Sequence, residues 1–388
     1  MVSAKYQRIP LLFSFQEQSA FKDTYAGEIG HISIKAHLLK NEGSNKTVVV
    51  FMHPTGGGSY LPMLNSLARK GVDTVWCDSR YRGTDSALIM EKVLIDLGQC
   101  IKNLKEKHGY EKVILGGWSG GGSLSLFYQS QAEKPTITET PAGDSLNLVD
   151  QNLIPADGVM LIAAHLSRHR TFTEWIDGSV VDENNPENRD IELDIYNRNN
   201  PNQAPYSEEF LKVYTNAQIA RNRKITAWVK TLLEDFRREG DFTREHAFIV
   251  HRTMADPRWL DKTIDPNDRK ENWCFLGEPS VVNNSPIGLG RFCSLRSWLS
   301  QWSYDDAKGD GIDCAKDIST PVLVIGNTAD DGITPSHTKK LYEAVKHENK
   351  ELHWIKGANH YYFGQPEKSD ESASICLDWL NRKNFLSY

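Results

Sequence analysis

The sequence predicts an α/β fold: a mostly parallel twisted sheet with helices on both faces. Three observations carry that expectation. Short, wholly apolar, β-branched runs recur, as "TVVVFMHP" (47–54), "KVILGG" (112–117), "GVMLIAA" (158–164) and "PVLVIG" (321–326), the character of strands buried on both faces. Helical stripes lie between several of them. The alternation is interrupted once, between about 166 and 312, and then resumes. A single interruption of this kind predicts a large, mainly helical cap inserted between two core strands, not a trailing domain.

Each element follows from its pattern. "ISIKAHLL" (32–39) alternates apolar and polar residues, as a half-exposed antiparallel strand does. "GVDTVWCD" (71–78) and "ELHWIKG" (351–357) add two further strands. Ile89, Val93, Leu97, Ile101 and Leu104 recur every three or four residues and place one apolar stripe on a helix before the strand at 112. Leu341, Ala344 and Val345 do the same after the strand at 321, and Ala373, Cys376, Trp379 and Leu380 near the C-terminus. The interrupting span begins rich in Asn, Asp, Arg and Pro, becomes a long helix over 207–239, and then carries many aromatics. A polar insertion at 133–152 reads as a surface loop. The expected division is therefore 1–165 with 313–388 as the core, and 166–312 as the cap.

Composition narrows the function classes. The 388 residues carry a formal charge of −6, 39% hydrophobic and 25% charged residues, and no long Lys/Arg run. Neither nucleic acid nor anionic lipid is called for as a partner. The six cysteines are scattered without metal-ligand spacing and read as reduced, buried thiols. "IPLLFSF" (9–15) is the one stretch resembling a signal segment, but it is short, contains a proline and runs into "QEQ". No apolar stretch reaches the ~18 residues of a spanning helix. A cytoplasmic location is the expectation.

"LGGWSGGGSLSL" (115–126) carries the chemistry. Gly117-Trp118-Ser119-Gly120-Gly121 follows a strand and precedes a helix-compatible run, the context that a G-x-S-x-G nucleophile elbow demands. A serine hydroxyl is a weak nucleophile at neutral pH and needs a base, itself oriented by an acid. In doubly wound sheets such groups collect at the carboxyl ends of strands. "PVLVIG" is followed by "NTADDGITP", which offers Asp330 and Asp331, and "ELHWIKG" by "ANHYYFG", which offers His360. The order Ser, Asp, His is the one expected for this fold. Acids here commonly stand four residues before a proline, which selects Asp331 relative to Pro335 and leaves Asp330 as the alternative. His337 and His353 are weaker bases, on a helix N-terminus and within a strand.

An oxyanion needs backbone donors. Gly120, after the nucleophile, supplies one; the loop "HPTGGGSY" (53–60) supplies the other, from Thr55 with Gly56 as the alternative. A phosphate-cradling reading of "TGGGS" fails because no Gly-Lys-Ser/Thr follows. His165 and His169 have the i, i+4 spacing of a metal pair, but no third ligand stands in the same motif, so no metal is expected.

With these residues in hand the chain resembles the α/β-hydrolase superfamily. The likeness rests on "HPTGGG", "CDSRYRGTDSA" (77–87), "GWSGGG", "GNTADDGITP" and "GANHYY", over about 30–165 and 313–388. Two departures stand out: His-Pro replaces the usual His-Gly in the oxyanion loop, and "RYRGTD" carries an inserted aromatic. The resemblance implies a serine hydrolase of esterase type, with Ser119, Asp331 and His360 as a triad, Thr55 and Gly120 as the oxyanion hole, and no cofactor. Thioesterase, amidase or peptidase, carbon–carbon hydrolase and acyltransferase activities share that machinery. A non-catalytic binding protein on the same scaffold is the remaining alternative. The expected partner is a small molecule with an acyl group and an apolar or aromatic part. Trp118, His165, Trp298 and Trp302 are candidates to bind it, with Arg168 adding polarity. The tryptophans of the cap serve equally as its own core or as the contact of a homodimer.

Overall fold

The computed structural model describes residues 5–17, 22, 24–43 and 46–386. Ten strands alternate with helices: β1 (Tyr6–Gln16), β2 (His31–Asn41), β3 (Thr47–Phe51), α1 (Pro62–Arg69), β4 (Asp73–Cys77), α2 (Met90–His108), β5 (Lys112–Trp118), α3 (Gly120–Glu133) and β6 (Gly158–Ile162) come first. A long insertion follows, with α4 (Arg168–Trp175), α5 (Glu208–Arg238), β7 (Ala247–Ile249), α6 (Pro257–Leu260), α7 (Pro279–Asn284), β8 (Phe292–Ser294), α8 (Leu295–Gln301) and α9 (Gly311–Asp317). The chain then returns to β9 (Val322–Asn327), α10 (Pro335–Ala344), β10 (Lys350–Ile355) and α11 (Pro366–Arg382).

Eight strands form one sheet in the order β1-β2-β4-β3-β5-β6-β9-β10. The pairs from β4 through β3, β5, β6 and β9 to β10 are parallel, while β1 and β2 join antiparallel at one edge. Every residue of β3, β6 and β9 is buried, because helices cover both faces and each side of these strands must be apolar. Two core clusters result, one on each face. β9 pairs with β6 across the whole insertion, which makes the excursion from 163 to 321 an insertion between adjacent strands.

The segment "IPLLFSF" is not a detached apolar leader: it lies within β1, whose only buried residue is Phe13. Its proline is tolerated because β1 is an edge strand. The 133–152 stretch is less exposed than expected. It folds back so that Ile137, Ala142, Leu146 and Leu148 are buried. No helix among the described residues is long and apolar enough to cross a membrane, and all six cysteines are buried and unpaired.

Within the insertion, α5 starts on Ser207, whose side chain accepts from the Phe210 N–H, with Glu208 and Glu209 in the first turn and Arg237 and Arg238 in the last. Cap and charge placement both suit the helix dipole. Its buried residues Ile225, Val229, Leu233 and Phe236 recur at helical spacing and meet Phe172, Leu295, Trp298 and Trp302 in a separate apolar cluster. α9 packs differently from the rest: Cys314 and Ala315 join the main core cluster, and Leu166 does so at the other end of the insertion.

Candidate active site

Ser119 stands between β5 and α3 with φ 52° and ψ −123°, a backbone conformation costly for any side chain but glycine. Strained non-glycine backbone of this kind persists only where packing over-determines it, and here packing does. A Cβ on Gly117 would lie 2.6 Å from Gly122 Cα, so strand and helix can cross this closely only with glycine at that point. The Ser119 N–H donates to the Ile162 carbonyl of β6 at 3.3 Å, tying the turn to the next strand.

His360 lies 3.1 Å from Ser119 Oγ through Nε2, and its Nδ1 meets Asp330 Oδ2 at 2.9 Å and Oδ1 at 3.1 Å. The acid facing the histidine is therefore Asp330, not the expected Asp331. Two physical reasons decide it. β9 runs one residue past its glycine, to Asn327, so three residues beyond the strand end is Asp330. Asp330 Oδ1 also accepts the N–H groups of Gly332 and Ile333 at 2.8 and 2.7 Å, which locks the carboxylate toward His360. Pro335 opens α10 and so marks a helix start, not the position of the acid. The insertion braces this loop: Asn267 donates to the Asp330 carbonyl at 2.9 Å and Trp259 Nε1 to that of Asp331 at 3.0 Å. Burial works to lower the His360 pKa, but the Asp330 carboxylate, with Asp331 beyond it, outweighs burial and raises it.

The amides of the loop after β3 are turned inward. The Thr55 N–H donates to His53 Nδ1 at 3.3 Å, the Gly56 N–H to the His53 carbonyl at 2.8 Å, and the Gly57 N–H to Asp78 Oδ1 at 2.8 Å. Neither Thr55 nor Gly56 thus holds a free amide toward Ser119, which corrects that part of the expectation. Asp78 organises the loop; it also accepts from Trp76 Nε1 at 2.8 Å. Arg80, from the same "CDSRYRG" stretch, is buried and grips Asp96 with Nε and Nη2 at 3.0 and 2.8 Å.

His53 itself faces the site. A Cβ on Gly120 would meet its Nε2 at 2.6 Å and His165 Nε2 at 3.1 Å. His53 Nδ1 lies 2.9 Å from Thr55 Oγ1 and 3.3 Å from the Thr55 amide; in the tautomer in which Nδ1 accepts from both, the proton of a neutral ring sits on Nε2. Burial, followed by the charges of Arg168 and His360, pushes the His53 pKa down to about 3, so the ring is neutral. His165 is held well below its ordinary value by burial and by Arg168. Gly120 opens α3, and an N–H at that first helical position has no acceptor within its own helix.

The remaining expected residues divide. Trp118 stacks on the His360 ring at 5.0 Å and meets Tyr361 edge-on at 4.8 Å, so it packs behind the imidazole. His165 is at the site, as the Gly120 geometry requires. Trp298 and Trp302 are not: both are fully buried in the insertion's own cluster, Trp298 donating to Thr226 Oγ1 at 2.9 Å and Trp302 lying under the Arg168 guanidinium at 4.3 Å. Their side chains are large and apolar enough that the insertion, which joins the main core only at its two ends, uses them for a core of its own. Arg168 pairs with Asp85 at 2.9 Å. His169, the partner of His165 in the metal-like spacing, turns instead to Asp310 at 3.3 Å.

A cavity of about 740 Å3 opens at His360, lined by Tyr60, Trp273, Phe275, Asp331, Tyr361 and Phe363 among others. A groove of about 830 Å3, lined by residues such as Phe15, Ile89, Leu146 and Phe242, contains none of the site residues. Sequence reasoning missed the placement of the His53 ring against Gly120 and the aromatic wall of this cavity. His-Pro in place of His-Gly was the available signal for the former; "HYYFG" was the signal for the latter.

A Ser-His-Asp array on a strand–turn–helix elbow, at the carboxyl ends of a parallel sheet in this order, defines a protein with the α/β-hydrolase fold. No protein-family model and no curated protein sequence matches the chain. Solved structures do. The chain is similar to the structure of DcsB in complex with its substrate analogue, at 13% identity and a TM-score of 0.52, covering 97% of this chain and 99% of that one. It is likewise similar to the alpha/beta hydrolase GrgF from Penicillium sp. sh18, at 14% identity and a TM-score of 0.51, covering 97% and 98%. At these identities the likeness concerns the fold.

Proposed function

We propose that the protein is a serine hydrolase that cleaves a carboxylic ester through an acyl-enzyme. The observation that carries this reading is His360, which reaches Ser119 Oγ with one ring nitrogen and Asp330 with the other. In that role Nε2 takes the Ser119 proton as Oγ attacks the carbonyl carbon, and Asp330 steadies the imidazolium that forms. His360 then returns the proton to the leaving alcohol. A water, deprotonated in turn by His360, releases the acid.

The tetrahedral oxyanion is received by the Gly120 N–H and, in this reading, by the Nε2–H of His53. A neutral imidazole whose Nδ1 accepts from the Thr55 hydroxyl and amide offers Nε2–H as a preorganised donor without a competing charge. Trp118 and Phe275, with ring centroids 5.0 and 5.7 Å from that of His360, restrict the ring that must swing between Ser119 and the leaving group. The insertion, expected over 166–312, acts as a cap: its residues Trp259 and Asn267 hold the acid loop, and Trp273 and Phe275 wall the cavity.

The test is labelling with a fluorophosphonate, which reacts with an activated serine. Native protein is expected to label stoichiometrically and Ser119→Ala not at all. A folded native protein that stays unlabelled, and turns over no aryl ester, removes the reading.

A further inference from the structure

The cavity at His360 combines two features that the hydrolytic machinery leaves unused. Its wall is aromatic. Phe275 lies 6.3 Å from Tyr361 and Tyr60 lies 6.4 Å from Tyr361, ring to ring, so the faces run on from His360 without a break. Tyr60, Phe363 and Trp273 are 66, 86 and 38% exposed, an open rim of large rings on the cavity that His360 lines, and His360 reaches Ser119 Oγ at 3.1 Å. Rings this exposed add nothing to a core.

The second feature is Asp331. Its neighbour Asp330 is committed to His360, whereas among the described residues no side chain hydrogen-bonds or ion-pairs the Asp331 carboxyl, and Trp259 holds its backbone carbonyl. No lysine or arginine lines the cavity. With His360 neutral, an ionised carboxylate beside these rings makes a local negative potential, to which ring faces add their own attraction for cations.

We propose that this cavity takes a substrate bearing an ammonium group, seated between the aromatic wall and the Asp331 carboxylate, with its ester carbonyl at Ser119. The inference rests on the ester-hydrolase reading for the second half of that sentence and on the cavity alone for the first. Burial, and then the charge of Asp330, raise the Asp331 pKa to about 6, so the group is ionised above that pH and a bound cation relieves the repulsion between the two carboxylates. Lys270 Nζ lies 4.2 Å from the Trp273 ring centroid, so that ring already carries a cation and the seat falls to Tyr60, Phe275, Tyr361 and Phe363.

Two matched ester pairs decide the matter: choline butyrate against its neutral carbon isostere, and the nitrophenyl ester of trimethylammoniobutyrate against its tert-butyl isostere. These place the cation on the alcohol and the acyl side respectively. At pH 8 one cationic ester is expected to be favoured about tenfold or more in kcat/KM, in line with a desolvated cation on aromatic faces. In Asp331→Asn that preference should largely disappear, the cationic ester losing far more than the neutral one. Equal turnover within both pairs, or a preference that survives Asp331→Asn, overturns the proposal. Calorimetric titration with phenyltrimethylammonium separates this outcome from failure of the hydrolase reading. If no ester is cleaved but phenyltrimethylammonium binds native protein more tightly than Asp331→Asn, the cation site stands without the hydrolase; if it does not bind native protein, the site falls.

Discussion

His360 Nδ1 lies 2.9 Å from Asp330 Oδ2, while the adjacent carboxylate, Asp331, is left to the cavity. Two neighbouring acids of one loop thus have different partners, and their substitutions should differ accordingly. Asp330→Asn is expected to lower kcat on an aryl ester by about 10⁴, the loss that accompanies a histidine held in the wrong tautomer. Asp331→Asn should cost far less on a neutral aryl ester. Steady-state kinetics on the two purified variants check this, and the assignment fails if Asp331→Asn shows the larger loss in kcat.

The pH dependence follows from the same pair. His360 must be neutral to act as a base, and the carboxylates raise its pKa above the ordinary 6.5. The acid limb of the kcat/KM profile is therefore expected to have its midpoint above 6.5, activity rising with pH through it. Asp331→Asn removes one of the charges that raise His360, so the limb should move to lower pH. A limb that stays in place, or moves up, contradicts the electrostatic account.

His53 offers a third check. His53→Ala should reduce kcat by about 10²–10³, the usual loss for one oxyanion donor, with little change in KM. Nitrogen-15 spectra of histidine-labelled protein, assigned by comparison with His53→Ala, should show the His53 ring neutral to below pH 5 and protonated on Nε2. The Nδ1–H form would exclude this ring as a donor, since the Thr55 amide occupies that side.

Trp298 separates a structural role from a binding one. Trp298→Ala removes a fully buried ring from the insertion's cluster and is expected to destabilise by about 3–5 kcal/mol, read as a lower Tm. Trp298→Phe keeps most of the packing and should leave KM on an aryl ester near the native value. A large change in KM with Tm preserved would return Trp298 to the substrate pocket.

Much of the architecture is written in local pattern. The buried strands at 47, 112, 158 and 321 are continuous apolar runs, and α5 was legible over 207–239 because its apolar residues keep helical spacing and Ser207 caps it. β1 was not: Ile9, Leu11, Phe13 and Phe15 face the core, but Pro10 and Leu12 on the open face blur the alternation into one apolar run, and at the sheet edge only Phe13 is fully buried. Ser119 and His360 were legible too, because an elbow needs glycine neighbours and each residue follows a strand.

What pattern cannot carry is which of several adjacent groups turns toward which. Asp330 and Asp331 are chemically identical neighbours, and the backbone of the loop, with the Gly332 and Ile333 amides, points only one of them at the histidine. The Thr55, Gly56 and Gly57 amides look available in a glycine-rich loop until folding brings His53 and Asp78 against them. Trp298 and Trp302 look like pocket residues until a second apolar cluster absorbs them. The sequence by itself determined the sheet, the long excursion between β6 and β9, and the positions of Ser119 on its turn and His360 beyond the last strand. The tertiary structure decided which carboxylate faces His360, which amides turn away from Ser119 and which rings wall the cavity, because those depend on the directions of hydrogen bonds and rings brought together from distant parts of the chain.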